Sequence, residues 1–225
     1  MTVEKIGFAK ALLEANLSSP KKPFKLNLSI TEKCNSKCKT CGIWKRTGKK
    51  ELSLKEVRTI FKKNPFFRWI SVTGGEPFQH KNLVEICSTA KEYNKGLYIL
   101  SIPSNGSLTK KILADTKKII KLGIPNFVIT VSIDGPEKEH NRIRGIDCWN
   151  KSIETLRELK KLENKNFSVN PAYTISPFNL GFFEETVRAV NMEIPEIEAR
   201  DFHANIFHQA PFYSNESIKI EKTFN

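Results

Sequence analysis

The sequence predicts an α/β fold, an open or partial (β/α)6 TIM-like barrel around a parallel sheet, with an extra N-terminal helix. Three observations lead there. Short β-branched or aromatic runs alternate with amphipathic helical stretches along 225 residues. The runs are near-continuously apolar, as strands in a helix-covered parallel sheet are. The unusual residues gather just after the runs, at strand C-termini, the face that carries the site in α/β barrels and in open sheets. A doubly wound sheet has the same alternation and is the alternative fold.

In chain order, residues 4–17 read as a helix outside the first unit, so that 1–23 form an N-terminal extension and 24–225 the barrel domain. Strand runs fall at 25–30, 69–73, 97–102, 127–133 and 167–175, with a weaker one at 202–207. Ser53-Leu54-Lys55-Glu56 is a capping box, followed by an apolar face at Leu54, Val57, Ile60 and Phe61. Near 108–122, Lys110, Lys117 and Lys121 recur at helical spacing, with Ile112, Ile119 and Ile120 opposite. Lys111 and Lys118 extend this basic strip. It lies on the outside of the barrel and reads as a solvated face, with docking of an acidic redox partner or a polyanionic substrate as the alternative.

At 39% hydrophobic and 27% charged, the chain is too apolar for a disordered one. Its most apolar run, 124–133, falls well short of the ~20 residues that a bilayer-spanning helix needs. Charges at Glu4, Lys5, Lys10 and Glu14 do not fit a secretory leader, so the expected location is cytoplasmic. Thirty-seven Lys and Arg against 24 Asp and Glu give a net charge of +13. That favours acidic substrates, phosphorylated ligands, nucleic acid or anionic lipid, without selecting among them.

The chain has 5 cysteines, an odd number, and Cys34, Cys38 and Cys41 lie within one short loop. A secreted disulfide framework spreads an even number along the chain. Clustered thiols read instead as soft metal ligands in a reducing compartment, for an iron–sulfur cluster or for zinc. A closed zinc site or an ordinary cubane takes a fourth ligand. Cys87 lies in the helical stretch 82–93 among apolar neighbours, and Cys148 starts a later helix; both read as small buried hydrophobes. Three ligands leave one iron of a cubane open to an exogenous molecule.

The pattern Cys34-x3-Cys38-x2-Cys41 after the first strand resembles the radical S-adenosylmethionine (SAM) superfamily, and the resemblance runs from about residue 24 to 205. It implies a [4Fe–4S] cluster whose open iron is chelated by SAM. One electron then cleaves SAM to methionine and a 5′-deoxyadenosyl radical, which abstracts hydrogen from a substrate. An external reductant such as ferredoxin or flavodoxin is implied. Gly74-Gly75-Glu76-Pro77 resembles the second motif of the family, with backbone carbonyls near the glycines and the Glu76 carboxylate receiving the SAM ammonium. Ser104-Asn105-Gly106 and Ser132-Ile133-Asp134-Gly135 resemble the turns after strands three and four, where the serine reaches the ribose and methionine end of SAM.

In His140-Asn141-Arg142-Ile143-Arg144-Gly145, the resemblance places Arg144 on the SAM carboxylate, a bidentate task that suits guanidinium, and leaves Arg142 solvated. Two departures stand out. Thr40 replaces an aromatic near the adenine, with Trp44 placed to compensate, and Asn141 replaces an Asp. Beyond strand five, Thr174, Ser176 and Asn179 point to the rim, and His203 and Asn205 share a face that would line a substrate pocket. The branch that the sequence most resembles is that of the molybdenum-cofactor cyclase and the peptide-maturing enzymes. Many of those add a C-terminal extension with auxiliary clusters, for which two spare cysteines are too few; this chain is a minimal version or a fragment. The competing class is a non-catalytic, zinc- or cluster-stabilised basic module that binds nucleic acid. It accounts for charge and cysteines, but not for motifs at successive strand ends.

Overall fold

Alternation along the strands sorts side chains into two faces. Ile30, Ile70, Val72, Leu100, Ile102, Phe127, Ile129 and Val169 are all buried on the face that the helices cover. Their neighbours in sequence face the concave side and stay partly exposed. The computed structural model describes residues 2–20, 22–48, 50–213, 215 and 216. Its strands are β1 (Lys25–Thr31), β2 (Trp69–Gly74), β3 (Ile99–Ser104), β4 (Asn126–Ser132), β5 (Phe167–Ile175) and β6 (His203–Ile206). They lie in sequence order, every neighbouring pair parallel, and form an open half-barrel.

Among the described residues, seven α-helices accompany them: α1 (Val3–Leu17), α2 (Leu54–Lys63), α3 (Leu83–Tyr93), α4 (Thr109–Ile120), α5 (Glu137–Arg144), α6 (Trp149–Lys160) and α7 (Phe183–Glu193). The Ser53 capping box is formed on both sides, and α2 buries Val57 and Phe61. Losing such a cap costs about 1 kcal/mol. Helix α1 buries none of its residues and is tied on through Phe8, whose ring lies 5.2 Å from Tyr98 and 6.1 Å from Phe24. In the basic strip, Lys110, Lys117, Lys118 and Lys121 are exposed, whereas Lys111 folds back onto Asp115 at 2.6 Å.

Strand ends differ from the sequence reading where the backbone is used otherwise. Leu97 is buried but closes the turn after α3 by donating to the Asn94 carbonyl, so β3 starts two residues later. β6 has only four residues, because Phe202 ends the 3-10 turn Ala199–Asp201, and all four are exposed. Among the described residues, no helix is long and apolar enough to cross a membrane.

Candidate active site

The cysteine loop that follows β1 is gripped from two sides. The Lys37 and Lys39 N–H groups donate to the carbonyls of Arg144 and Ile143 at 2.9 and 2.8 Å. These are end carbonyls of α5, which lack partners within their helix. Gly145 sits at φ 66° as the C-cap, and a Cβ there would lie 2.4 Å from the Lys37 carbonyl oxygen. On the other side, Gly75 N–H donates to Thr31 O at 2.7 Å and Glu76 N–H to Lys33 O at 2.8 Å. A Cβ on Gly75 would lie 2.1 Å from Lys33 O, and one on Gly74 2.4 Å from Thr31 O. The glycine pair therefore serves the close approach of β2 to the cysteine loop.

Cys34, Cys38 and Cys41 are partly buried free thiols. Burial pushes Cys34 up to about 11 and Cys41 upward, while backbone N–H groups of Ser36 and Ile43 donate to their sulfurs and pull the other way. Arg144 Nη1 lies 3.6 Å from Cys38 Sγ. Among the described residues, no three His, Cys, Asp or Glu side chains converge on one ion. One zinc ion needs its ligands to meet at a point, whereas a cubane takes each thiolate at a separate iron. Three soft donors on one loop, with amide hydrogens already turned to two sulfurs, fit the cluster.

All three thiols open into a cavity of about 220 Å³ that is also lined by Gly74, Gly75, Glu76, Ser104, Asn105, Ser132 and Arg144. Glu76 is buried, and its carboxylate accepts from Phe78 N–H, Ser104 Oγ and Asn105 N–H at 3.2, 3.0 and 2.8 Å. Burial outweighs these donors and lifts its pKa to about 7. A carboxylate offers about four acceptor positions, so one remains for a cation. Arg144 is the cationic counterpart. Burial works against its charge, but Asp134, with Cys38, outweighs that and holds its pKa above the ordinary value. Its Nη2 lies 2.8 Å from Asp134 Oδ2, while its buried Nε has no partner among the described residues. Among those residues the Ser132 hydroxyl likewise meets no protein group.

Two candidates stand off the cavity. Pro77 begins a 3-10 turn. Asp134 turns away, taking the Thr174 N–H at 2.9 Å on its other oxygen and donating its own N–H to His140 Nδ1. It positions Arg144. Asn105 lines the cavity, yet its amide is engaged with Asn35, Ser36 and Ser107, which locks the turn to the cysteine loop.

Other readings resolve locally. Arg142 pairs with Glu139 and donates to Phe178 O, away from the thiols. Asn141 Oδ1 accepts from Cys148 and Trp149 N–H, capping α6 from a neighbouring helix. Burial holds His140 down to about 3, so it is neutral; Nδ1 accepts from Asp134, and Nε2–H faces Cys148 Sγ at 3.3 Å. Cys87 is buried in α3. Ser176 and Asn179 do not face the rim as expected. Asn179 accepts from Ser176 and donates to Asp134 O and Thr174 O, tying the ends of β4 and β5 together. His203 and Asn205 are exposed on β6.

Sequence reasoning missed the C-terminal segment. Gly42 N–H donates to Tyr213 O at 2.6 Å, Asn215 Nδ2 donates to Thr40 O at 3.0 Å, and Arg46 reaches Pro211 O and Phe212 O. Tyr213 and Trp44 both line the cavity beside Thr40, where the aromatic is absent. No motif marks Tyr213, which meets the loop only through folding.

The model of the radical SAM superfamily matches residues 28–190. A probable GTP 3′,8-cyclase of Sulfolobus acidocaldarius is 26% identical over 194 residues, covering 84% of this chain and 59% of that protein. Molybdenum cofactor biosynthesis protein 1 of Dictyostelium discoideum is 26% identical, covering 87% of this chain and 32% of that protein. This chain thus spans only part of the length of these relatives. SuiB of Streptococcus suis, solved bound to S-adenosylmethionine, superposes with a TM-score of 0.62 at 17% identity, over 96% of this chain and 48% of that one. Methylornithine synthase PylB gives 0.60 at 13%, over 96% and 63%. These two likenesses speak for the fold alone. Matched over most of its length, this chain belongs to the radical SAM superfamily.

Proposed function

We propose that Cys34, Cys38 and Cys41 hold a [4Fe–4S] cluster with one open iron, and that the chain cleaves SAM there to take a hydrogen atom from a substrate. The observation that carries this reading is one cavity shared by three thiols, a buried carboxylate and a buried guanidinium. A SAM molecule ends in an ammonium and a carboxylate, and the cavity offers the complement of each. Glu76 receives the ammonium on its remaining acceptor position, with the Gly74 and Gly75 carbonyls alongside. Arg144, held by Asp134, turns its unpartnered Nε to the carboxylate. Ser104, Asn105, Ser132, Pro77 and Asp134 complete the cofactor-binding set, the last two as supports.

When bound, the cluster supplies the single electron that splits SAM into methionine and a 5′-deoxyadenosyl radical. A ferredoxin- or flavodoxin-type donor in the cytoplasm provides that electron. Residues 24–225 form the catalytic unit and 1–23 an extension outside it. A non-catalytic basic module would not need Glu76 and Arg144 lining one cavity with the thiols.

The test is anaerobic reconstitution with iron and sulfide. Alanine at Cys34, Cys38 or Cys41 is expected to abolish the brown chromophore and 5′-deoxyadenosine formation together, and Cys87→Ala to keep both. A full cluster in any one of the three variants contradicts the assignment.

A further inference from the structure

We infer that the concave face of the half-barrel holds an uncharged, hydroxyl-rich substrate group of monosaccharide or nucleoside size, beneath the cysteine-lined cavity; this rests on the proposed function and names its substrate class. Closed barrels of this type fill their interior with branched apolar side chains. Here, above a floor that includes Trp69 and Ile99, two layers of the interior are mostly small and polar. In one layer, Asn27 pairs in register with Ser71, Ser71 with Ser101, and Ser101 with Val128, which pairs in turn with Ser168. In the layer above, Ser29 pairs with Thr73, and Thr130 stands between Pro103 and Asn170.

These side chains are at least partly accessible. Apart from Ser101, which accepts from Trp69 Nε1 at 3.1 Å, none of their hydroxyls or amides bonds to another group among the described residues. Asn and Ser are poor strand formers, and nothing in local structure calls for them here. The upper layer is continuous with the cofactor cavity, because Thr73 and Pro103 line both. Polar groups that the fold leaves open beside a cofactor site are placed for a ligand.

The chemistry of the wall selects the ligand. Hydroxyls and amides both donate and accept, as sugar hydroxyls and carbonyls do. Among the described strand residues, the concave face carries no carboxylate and no guanidinium. Lys25 is spent on the floor, its Nζ 3.6 Å above the Trp69 ring, and His203 lies at the exposed β6 edge. A charged group lowered into this wall would lose water without gaining a counter-ion. From Trp69 to Thr73 the strand rises about 13 Å, which sets the depth. The excess positive charge is displayed on the outer helices, at Lys110, Lys117 and Lys118, and the two polar layers above Lys25 carry no charged side chain.

Equilibrium dialysis of the reconstituted, SAM-loaded protein tests this with glucose and uridine as neutral probes, against glucuronate and protonated glucosamine. Both charged sugars carry the charge on the ring itself, where it cannot be left outside. At least one neutral probe is expected to bind about tenfold more tightly than either charged sugar, a difference of about 1.4 kcal/mol. Thr130→Val and Asn170→Leu, which remove hydrogen-bonding groups without adding charge, are expected to weaken that binding by a similar factor, with circular dichroism checking the fold. Equal or tighter binding of a charged sugar, no binding of either neutral probe, or folded variants that bind like the unaltered protein each overturn the inference. If a variant fails to fold, the four probes on the unaltered protein decide alone. Dithionite-driven SAM cleavage is measured in parallel without any probe. Its failure would refute the cofactor reading, whereas its success with a failed probe panel would refute only the substrate class.

Discussion

Glu76 shows how a buried carboxyl is kept at a cost to the folded protein. Its folded pKa is about 7 against an ordinary 4.5, because burial outweighs three hydrogen-bond donors. Between those values the folded protein holds a proton that the unfolded chain has released, so stability falls as pH rises through this window. The loss is about 3 kcal/mol by the usual conversion. Glu76→Gln is expected to remove the slope, and urea midpoints of the two ligand-free proteins should diverge steadily from pH 4.5 to 7. His140, held neutral by burial, contributes the opposite slope below its ordinary value of 6.5, but it does so in both proteins and cancels. Parallel pH curves would show that Glu76 is not the titrating group. SAM affinity should rise with pH over the same range, since the ammonium requires the anion. At Arg144, alanine leaves Asp134 buried without its counter-charge, a loss of about 3–5 kcal/mol. Adding Asp134→Asn should recover most of the stability while SAM binding stays weak, by denaturation and dialysis respectively.

At the scale of elements, the cysteine loop takes its shape from its neighbours. The end of α5 and the β2 glycines present carbonyls and close backbone that hold the loop before any metal is added. Gly145→Ala combines a φ of 66° with a 2.4 Å contact to Lys37 O and is expected to cut iron content along with stability, by about 1–3 kcal/mol. Gly181→Ala is the control, with φ 82° but nothing within 4 Å, and should lower stability modestly with iron content unchanged. Most of these elements were legible in the sequence. Apolar runs and the Ser53 box locate β1, β2, β5 and α2 within a residue, because local propensity and burial agree there. What the glycine pair approaches, and that Asn179 bolts β4 to β5 when it was expected at the rim, are tertiary facts that no local pattern carries.

Across the whole molecule, the site draws on the ends of β1 to β4, on α5 and on a segment near residue 213, so its parts are legible in proportion to their motif content. The three cysteines and Glu76 belong to short patterns with few alternatives. Asp134 as a positioning group, and Tyr213 as a cavity wall, emerge only when separate stretches meet. None of the outer lysines lines that cavity. Reversing Lys110, Lys117 and Lys118 to Glu should leave both dithionite- and flavodoxin-driven SAM cleavage unchanged; a steep fall at low salt with flavodoxin alone would instead make the strip a docking surface. The central claim is a cluster with an open iron facing the Glu76 and Arg144 cavity. Its most direct test is electron paramagnetic resonance of the anaerobically reduced protein before and after addition of SAM. A [4Fe–4S] signal whose g-values shift on SAM addition is expected, with the shift weakened in Arg144→Ala. A reduced cluster signal that SAM leaves unchanged, or a protein that takes up zinc and no cluster, would contradict it.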